Sequence, residues 1–277
     1  FHRRSKHPLR KRVSALQSDF LENLAIVVQG PVVRKHRFTE ETLLLYSKLW
    51  PQSHIVLSTW PFSGSEDFVR RMPTNVSVIL LEHPEHPGPS NINLQIRSSY
   101  RGVIEAAQLG YTLVLKTRSD QRLYDAFAPF QLEFLRSVPS EKYDSRIVSI
   151  SADSFVDRNF GISDFLTYGL TSEQRMLWGV AEVAFNKDLG IYTGRDHPLP
   201  WSTERYIWSA YADRIGYDSQ KPEEYKNFIA EKLAIADASS IDWYWLKYSR
   251  REYPYRREGF PLTEMTQSRW IKEVLAK

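Results

Sequence analysis

The chain has 277 residues, of which 42% are hydrophobic and 25% charged, a balance that excludes a disordered protein and leaves room for one large α/β domain or two small ones. An apolar run of about eighteen residues, the length a membrane-spanning helix needs, occurs nowhere. There is no cysteine, which excludes disulfides and thiolate metal sites and fits a reducing cytoplasm.

The formal charge is +4 and the pI about 9.1. The positive charge concentrates at residues 1 to 12 (FHRRSKHPLRKR) and 247 to 257 (KYSRREYPYRR). Two basic patches point to an anionic partner such as a membrane surface, a phosphorylated glycan or nucleic acid, although a solvated tail accounts equally well for the first. Around the second patch Trp243, Tyr244, Trp245, Tyr248, Tyr253 and Tyr255 interleave with the cations, which suits sugar stacking, an interfacial lipid headgroup region or a packed C-terminal subdomain. Nucleic-acid motifs are absent, so no nucleic-acid partner is expected. The first residue is Phe1, so an original start is expected upstream and a targeting peptide is not judged.

From Leu24 strands and helices alternate. LAIVVQGPV reads as a buried strand ending in a Gly-Pro turn. TEETLLLYSKL reads as a helix with Thr39 as N-cap and Glu40 and Glu41 set against the dipole. HIVLSTW and VSVILLEHP are the second and third strands, a helix is expected from about Asn93 to Leu109, and YTLVLKTRSD is the fourth strand. This order predicts a mostly parallel sheet covered on both faces, with a ligand at the carboxyl ends of the strands near a switch point. Gln29 to Pro31, Ser58 to Trp60 and Arg118 to Asp120 fall at such ends and outline a nucleotide-sized crevice.

The second half is less regular. RIVSIS is a strand, and Thr171 and Gln174 have capping-box spacing at a helix start. WSTERYIWSAYADRIG is helical from about Glu204, and EEYKNFIAEKLAIA reads as one amphipathic helix. With no Gly/Ser/Pro linker between the halves, the expected layout is a basic arm (1–22) and a single domain (23–277), made of a nucleotide half (23–125) and an acceptor half with C-terminal helices (126–277).

Asp120, at a strand end beside that crevice, suits Mg2+ or Mn2+, which take oxygen ligands shared with substrate phosphates. Alternatively Arg118 and Arg122 contact a diphosphate directly, or simply pair with Asp120 at a surface turn.

IVVQGPV, NINLQIRSSYRGVIEAA, VLKTRSDQRLY and SDFLTYG…W together resemble the WavE lipopolysaccharide-synthesis family, in order over most of residues 24 to 180. The resemblance implies a bacterial glycosyltransferase-like protein of GT-A layout, with a Rossmann-type sheet, acting in lipopolysaccharide or surface-polysaccharide assembly. Such enzymes place an Asp-x-Asp motif after the fourth strand. Here SDQ (119 to 121) holds one aspartate, which sets arginine neutralisation of the diphosphate against metal dependence.

The expected nucleotide-sugar site comprises Gln29, Gly30, Pro31, Ser58, Thr59, Asn93, Arg97, Arg101, Lys116, Arg118 and Ser119. Arg97 is expected to reach phosphate or to pair with Asp120. An inverting reaction needs a general base, for which Asp153, Asp164, Glu182 and Glu204 are candidates. Glu204, in the first turn of its helix after a Pro-rich loop, is preferred, and Asp164 is second. His197 is a candidate third metal ligand beside Asp120. P-loop, dinucleotide and nucleophile-elbow strings are absent. The expectation is a cytoplasmic transferase, peripheral on the inner membrane, taking a nucleotide sugar and a glycan or glycolipid acceptor. The rival is an inactive glycan- or nucleotide-binding scaffold.

Overall fold

The computed structural model describes residues 19–187, 191–193, 202–248 and 262–275. In chain order the first elements are α1 (Asp19–Glu22), β1 (Leu24–Gln29), α2 (Phe38–Leu49), β2 (His54–Thr59), α3 (Ser65–Arg70), β3 (Val76–Leu80), α4 (Ile92–Gln108) and β4 (Leu113–Arg118). There follow β5 (Gln121–Leu123), α5 (Ala128–Arg136), β6 (Ile147–Ile150), β7 (Thr167–Leu170), α6 (Thr171–Trp178), β8 (Ala184–Asn186) and β9 (Ile191–Thr193). The last are α7 (Thr203–Arg214), α8 (Pro222–Glu231), β10 (Leu233–Ala236), β11 (Trp243–Trp245) and α9 (Gln267–Leu275).

Seven strands form one sheet in the order β10-β6-β7-β4-β1-β2-β3. All neighbours are parallel except β7, which runs antiparallel to both β4 and β6. β1 is buried along its whole length, as its unbroken LAIVVQ run requires of a strand covered on both faces. The chain steps outward through β1, β2 and β3 and returns over β1 to β4. Right-handed crossovers therefore set α2 and α4 on opposite faces. α4 lies across β1, β2 and β4 with α6 beside it, α2 packs on β2, and α5 packs on β6, β7 and β10. Gly102 lets α4 come close to the sheet, since a Cβ there would stand 2.4 Å from Val27 Cγ1. The fold class is thus the expected α/β sandwich around a mostly parallel sheet.

Three local readings are corrected. Thr39 is not the N-cap of α2, whose first residue is Phe38. Its hydroxyl accepts from the Val33 amide (2.8 Å) and donates to the Ser119 carbonyl (2.9 Å), tying the loop after β1 to the end of β4. Thr171 and Gln174 make no capping box. Gln174 Oε1 instead accepts from the buried Thr167 hydroxyl (2.8 Å) and the Trp178 indole (3.2 Å). LAIA is not the end of a helix but the fully buried strand β10, because four consecutive apolar residues fill the sheet edge better than one helix face.

Candidate active site

β1 sits between β2 and β4 in matched register, with Gln29 opposite both Ser58 and Arg118. The three carboxyl ends therefore meet, and the switch point of the sheet falls between β1 and β4. Just beyond β4, the chain turns into β5, which pairs antiparallel with β11 and sets Trp245 opposite Gln121. That pairing carries the Trp245 indole to Asp120. Asp120 Oδ1 accepts from Arg118 Nε at 3.0 Å, while Oδ2 accepts from Trp245 Nε1 at 2.8 Å. Burial pushes the Asp120 carboxyl up, but the Arg118 charge and the hydrogen bonds from Arg118 and Trp245 outweigh it and hold the group below its ordinary value.

Asp120 is thus occupied as a clamp. Among the described residues no group of His, Asp and Glu side chains is arranged to hold a metal ion, and His197 lies outside the described residues. The residues described do not fit a resident divalent cation on Asp120, and no step below is routed through one.

Next to this clamp lies a cavity of about 410 Å³. Its cationic members are Arg118 and Lys247, and its acidic members are Asp153, Asp164 and Glu204. Phe165, Trp245 and Tyr248 supply aromatic surface; Trp245 packs at 4.5 Å from Phe165 and 4.8 Å from Tyr248, centroid to centroid. Asp153 follows β6, Asp164 precedes β7, and Glu204 lies in the first turn of α7, whose amino end is capped by the Ser202 side chain accepting from the Arg205 amide. Because β7 runs against its neighbours, the chain comes back into the sheet at the same rim where β6 leaves it.

The acids are strongly perturbed. Burial and then the nearby Glu204 charge push Asp164 up to about 6, against the opposing pull of Lys116, Arg118 and Gln95. Gln95 Nε2 donates to Asp164 Oδ2, whereas Asp164 Oδ1 is buried without a hydrogen-bond partner among the described residues. Lys116 is wholly buried beneath. Its ammonium donates to the Asp164 carbonyl at 2.5 Å and stands 4.1 Å from the centre of the Trp178 ring. Burial brings Lys116 down to about 7, partly offset by Asp164. Asp153 is pushed up to about 8, by burial first and by Glu204 second.

Of the expected site residues and candidate bases, Arg118, Asp153, Asp164 and Glu204 share the cavity, and Asp120 borders it through Arg118 and Trp245. The remaining described ones lie outside its lining. Gln29 Oε1 accepts from the Ser98 hydroxyl at 2.8 Å. Ser58 and Thr59 are fully buried, with no hydrogen-bond partner for either hydroxyl among the described residues. Ser119 donates to the Pro31 carbonyl at 2.7 Å and packs against Gly30, whose φ is +111°, so these three close a turn. Asn93 donates to the carbonyls of His86 and Val183 and accepts from the Val183 amide, which uses both ends of its amide on backbone. Lys116 lies under the cavity floor, outside its lining.

The expected pairing of Arg97 with Asp120 is corrected. Arg97 forks onto Glu182 at 2.7 and 3.0 Å and lines, with Arg101, a separate cavity of about 440 Å³. This removes Glu182 from the acid cluster. A third cavity, of about 300 Å³, lies beside the loops after β1 and β2 and is lined by Arg34, Arg37 and Arg71 around Glu40. Sequence reasoning missed Phe165, and it had Trp245, Lys247 and Tyr248 only as part of an aromatic-basic patch suited to sugar stacking, not as a wall of this cavity.

No family model matches the chain, and no curated protein matches it either, so the WavE resemblance rests on the strings quoted above. Among solved structures the chain is similar to a glycosyltransferase involved in glycosylation of the major capsid of PBCV-1, at 12% identity over 78% of this chain and 81% of that one, with a TM-score of 0.42. It is also similar to 4-diphosphocytidyl-2C-methyl-D-erythritolsynthase from Anaerococcus prevotii (12% identity, 93% and 97% covered, TM-score 0.38). A third is mannose-1-phosphate geranyltransferase from Thermus thermophilus (12% identity, TM-score 0.35), where 56% of this chain spans 63% of that one. These likenesses are distant, and the functional reading rests on the site itself.

Proposed function

We propose that the protein is a glycosyltransferase of GT-A layout that uses a nucleotide sugar, with the reacting sugars meeting in the cavity between Arg118 and Glu204. The observation that carries this reading is the grouping of Asp164, Glu204 and Arg118 with an aromatic wall at the carboxyl ends of a mostly parallel sheet. Aromatic faces take the apolar side of a pyranose, and carboxylates take its hydroxyls. Glu204 accepts the proton of the acceptor hydroxyl. Asp164, on the wall of the same cavity, takes a neighbouring hydroxyl and so fixes the ring. Arg118, oriented by Asp120, stabilises negative charge on the departing diphosphate, with Lys247 as a second cation. The acceptor oxygen bonds to the anomeric carbon as its bond to the diphosphate breaks, and alignment and charge stabilisation, with no covalent enzyme intermediate, supply the rate.

A lipopolysaccharide or surface-polysaccharide acceptor follows from the WavE resemblance, and a peripheral place on an anionic inner-membrane surface follows from the basic chain ends. The single-domain division into nucleotide and acceptor halves belongs to the same proposal. The test is a thermal-shift screen of UDP-, GDP-, CMP- and dTDP-sugars, with and without Mn2+, followed by donor hydrolysis with the best ligand. Stabilisation by one nucleotide class and turnover lost in Glu204→Gln support the enzyme. Stabilisation by anionic polysaccharide alone would replace it with the scaffold.

A further inference from the structure

We propose that the outer face of α5 is a membrane-docking surface, whose phenylalanines enter the headgroup region of an anionic bilayer while the basic arm, residues 1–12, meets the lipid charge. The surface gives a location to the peripheral placement proposed above, on which it rests, and it is independent of the transfer chemistry. α5 is short, at nine residues, but two-faced. Ala128, Leu132 and Leu135 are buried against the sheet, as helical periodicity requires of an inner face. Phe127, Phe130 and Phe134 recur at spacings of three and four along the opposite face, where a helix bathed in water ordinarily carries polar groups. Phe134 is 70% exposed and Phe127 45%. Phe20 of α1 extends the stripe, its ring edge-on to Phe130 at 4.8 Å, and Phe127 stands 6.1 Å from Phe130. Contiguous exposed aromatic surface of this kind marks a place of contact.

Charge and ring chemistry identify the occupant. Residues 1–12 contain Arg3, Arg4, Lys6, Arg10, Lys11 and Arg12 and no acid. The chain takes eight steps from Arg12 to Phe20, so whatever its path, the last of these cations lies within about 28 Å of the stripe. The nearby acids do not cancel them. Glu133 is paired with Arg136 and accepts from the Tyr168 hydroxyl, and Asp125 accepts from the Phe127 amide and the Gln131 side chain. Glu22, exposed on α1, opposes six positive charges with one negative. Phenylalanine rings carry no polar atom with which to read a glycan or a nucleic-acid base, whereas the acyl boundary of a bilayer asks for none. An apolar stripe and a polybasic segment are the two signals that together hold a peripheral protein on anionic lipid, since either alone binds weakly.

Vesicle flotation of the full chain tests the surface, with phosphatidylcholine vesicles made with and without phosphatidylglycerol. Binding is expected to the phosphatidylglycerol vesicles and weakens as salt is raised. It falls by about tenfold in Phe134→Ser and by about tenfold or more in R10Q/K11Q/R12Q. Phe134 projects into water, so its replacement leaves the fold intact, which an unchanged thermal midpoint verifies. Position is read separately. Because the chain has no cysteine, a polarity-sensitive dye on Phe134→Cys reports from that site alone. Its emission rises and shifts to the blue on the anionic vesicles, while the same dye on Met176→Cys, an exposed place on α6, does not respond. Three results would each overturn the proposal: no binding to either vesicle, equal binding to both, or a dye at residue 134 that stays in water while the protein floats. So would binding to an acidic polysaccharide or to RNA in place of the vesicles. None of these outcomes depends on turnover, so failure of the docking surface and failure of the transferase reading are told apart.

Discussion

The indole of Trp245 donates a 2.8 Å hydrogen bond to Asp120, joining residues 125 positions apart. One carboxylate thereby sets both the guanidinium of Arg118 and part of the aromatic wall of the cavity. In Asp120→Asn one oxygen becomes an NH2 group that must face either the arginine or the indole, both of which only donate. The expected loss is about 1–3 kcal/mol. Urea unfolding monitored by tryptophan emission measures it, and an unchanged midpoint would mean the clamp is not formed in solution.

Glu204→Gln removes the proton acceptor and leaves the shape of α7 intact. Sugar transfer falls by about 10²–10⁴-fold. The thermal midpoint moves little, since a first-turn acid contributes only about 0.3–1 kcal/mol through the helix dipole. A variant that keeps full transfer would move the base to Asp164.

Lys116 gives a pH signature of its own. Between about 7 and the ordinary lysine value of 10.5 the unfolded chain binds a proton that the folded chain has lost. Its contribution therefore makes stability rise with pH over that window. In Lys116→Met the rise is flattened, as read from urea midpoints across the window. A slope identical to the parent's would show that the amine is not buried as described.

Gly102→Ala tests the closeness of α4 to the sheet. The added methyl would stand 2.4 Å from Val27 Cγ1 and 3.3 Å from Ser58 Cβ, so strand or helix must shift. Overpacking of this kind costs about 1–3 kcal/mol. Calorimetry should show a midpoint lowered by several degrees, about 2–4 °C for each kcal/mol in a chain of this size.

Much of the fold was legible because the first four strands are long apolar runs between turn residues, and such runs have few other places to go. Glu204 was legible as a candidate because an acid in the first turn of a helix is fixed yet accessible, and Asp164 through the SDF string of the resemblance; strand β7 after it was not legible. The helix NINLQIRSSYRG was harder. At four-residue spacing Asn93, Arg97 and Arg101 fall near one helix face, but which way that face looks depends on Val183 and Glu182, far along the chain. Polar strand ends misled for a similar reason: a Ser98 hydroxyl on α4 occupies Gln29, which a strand pattern does not disclose. Trp245 could be seen as aromatic beside cations, but its reach to Asp120 exists only once β11 pairs with β5.

The reversed direction of β7 has an outcome for how the chemistry is portioned along the chain. A parallel strand in that position would carry residue 164 to the far end of the sheet, some 13 Å away for four residues at about 3.3 Å each. Reversal lets a single connecting segment, from 151 to 166, deliver two acids to one rim while the helices beneath stay put. That segment is itself core, with Phe155, Phe160, Ile162 and Leu166 buried, so the placing of the two acids is set by packing and not by loop length.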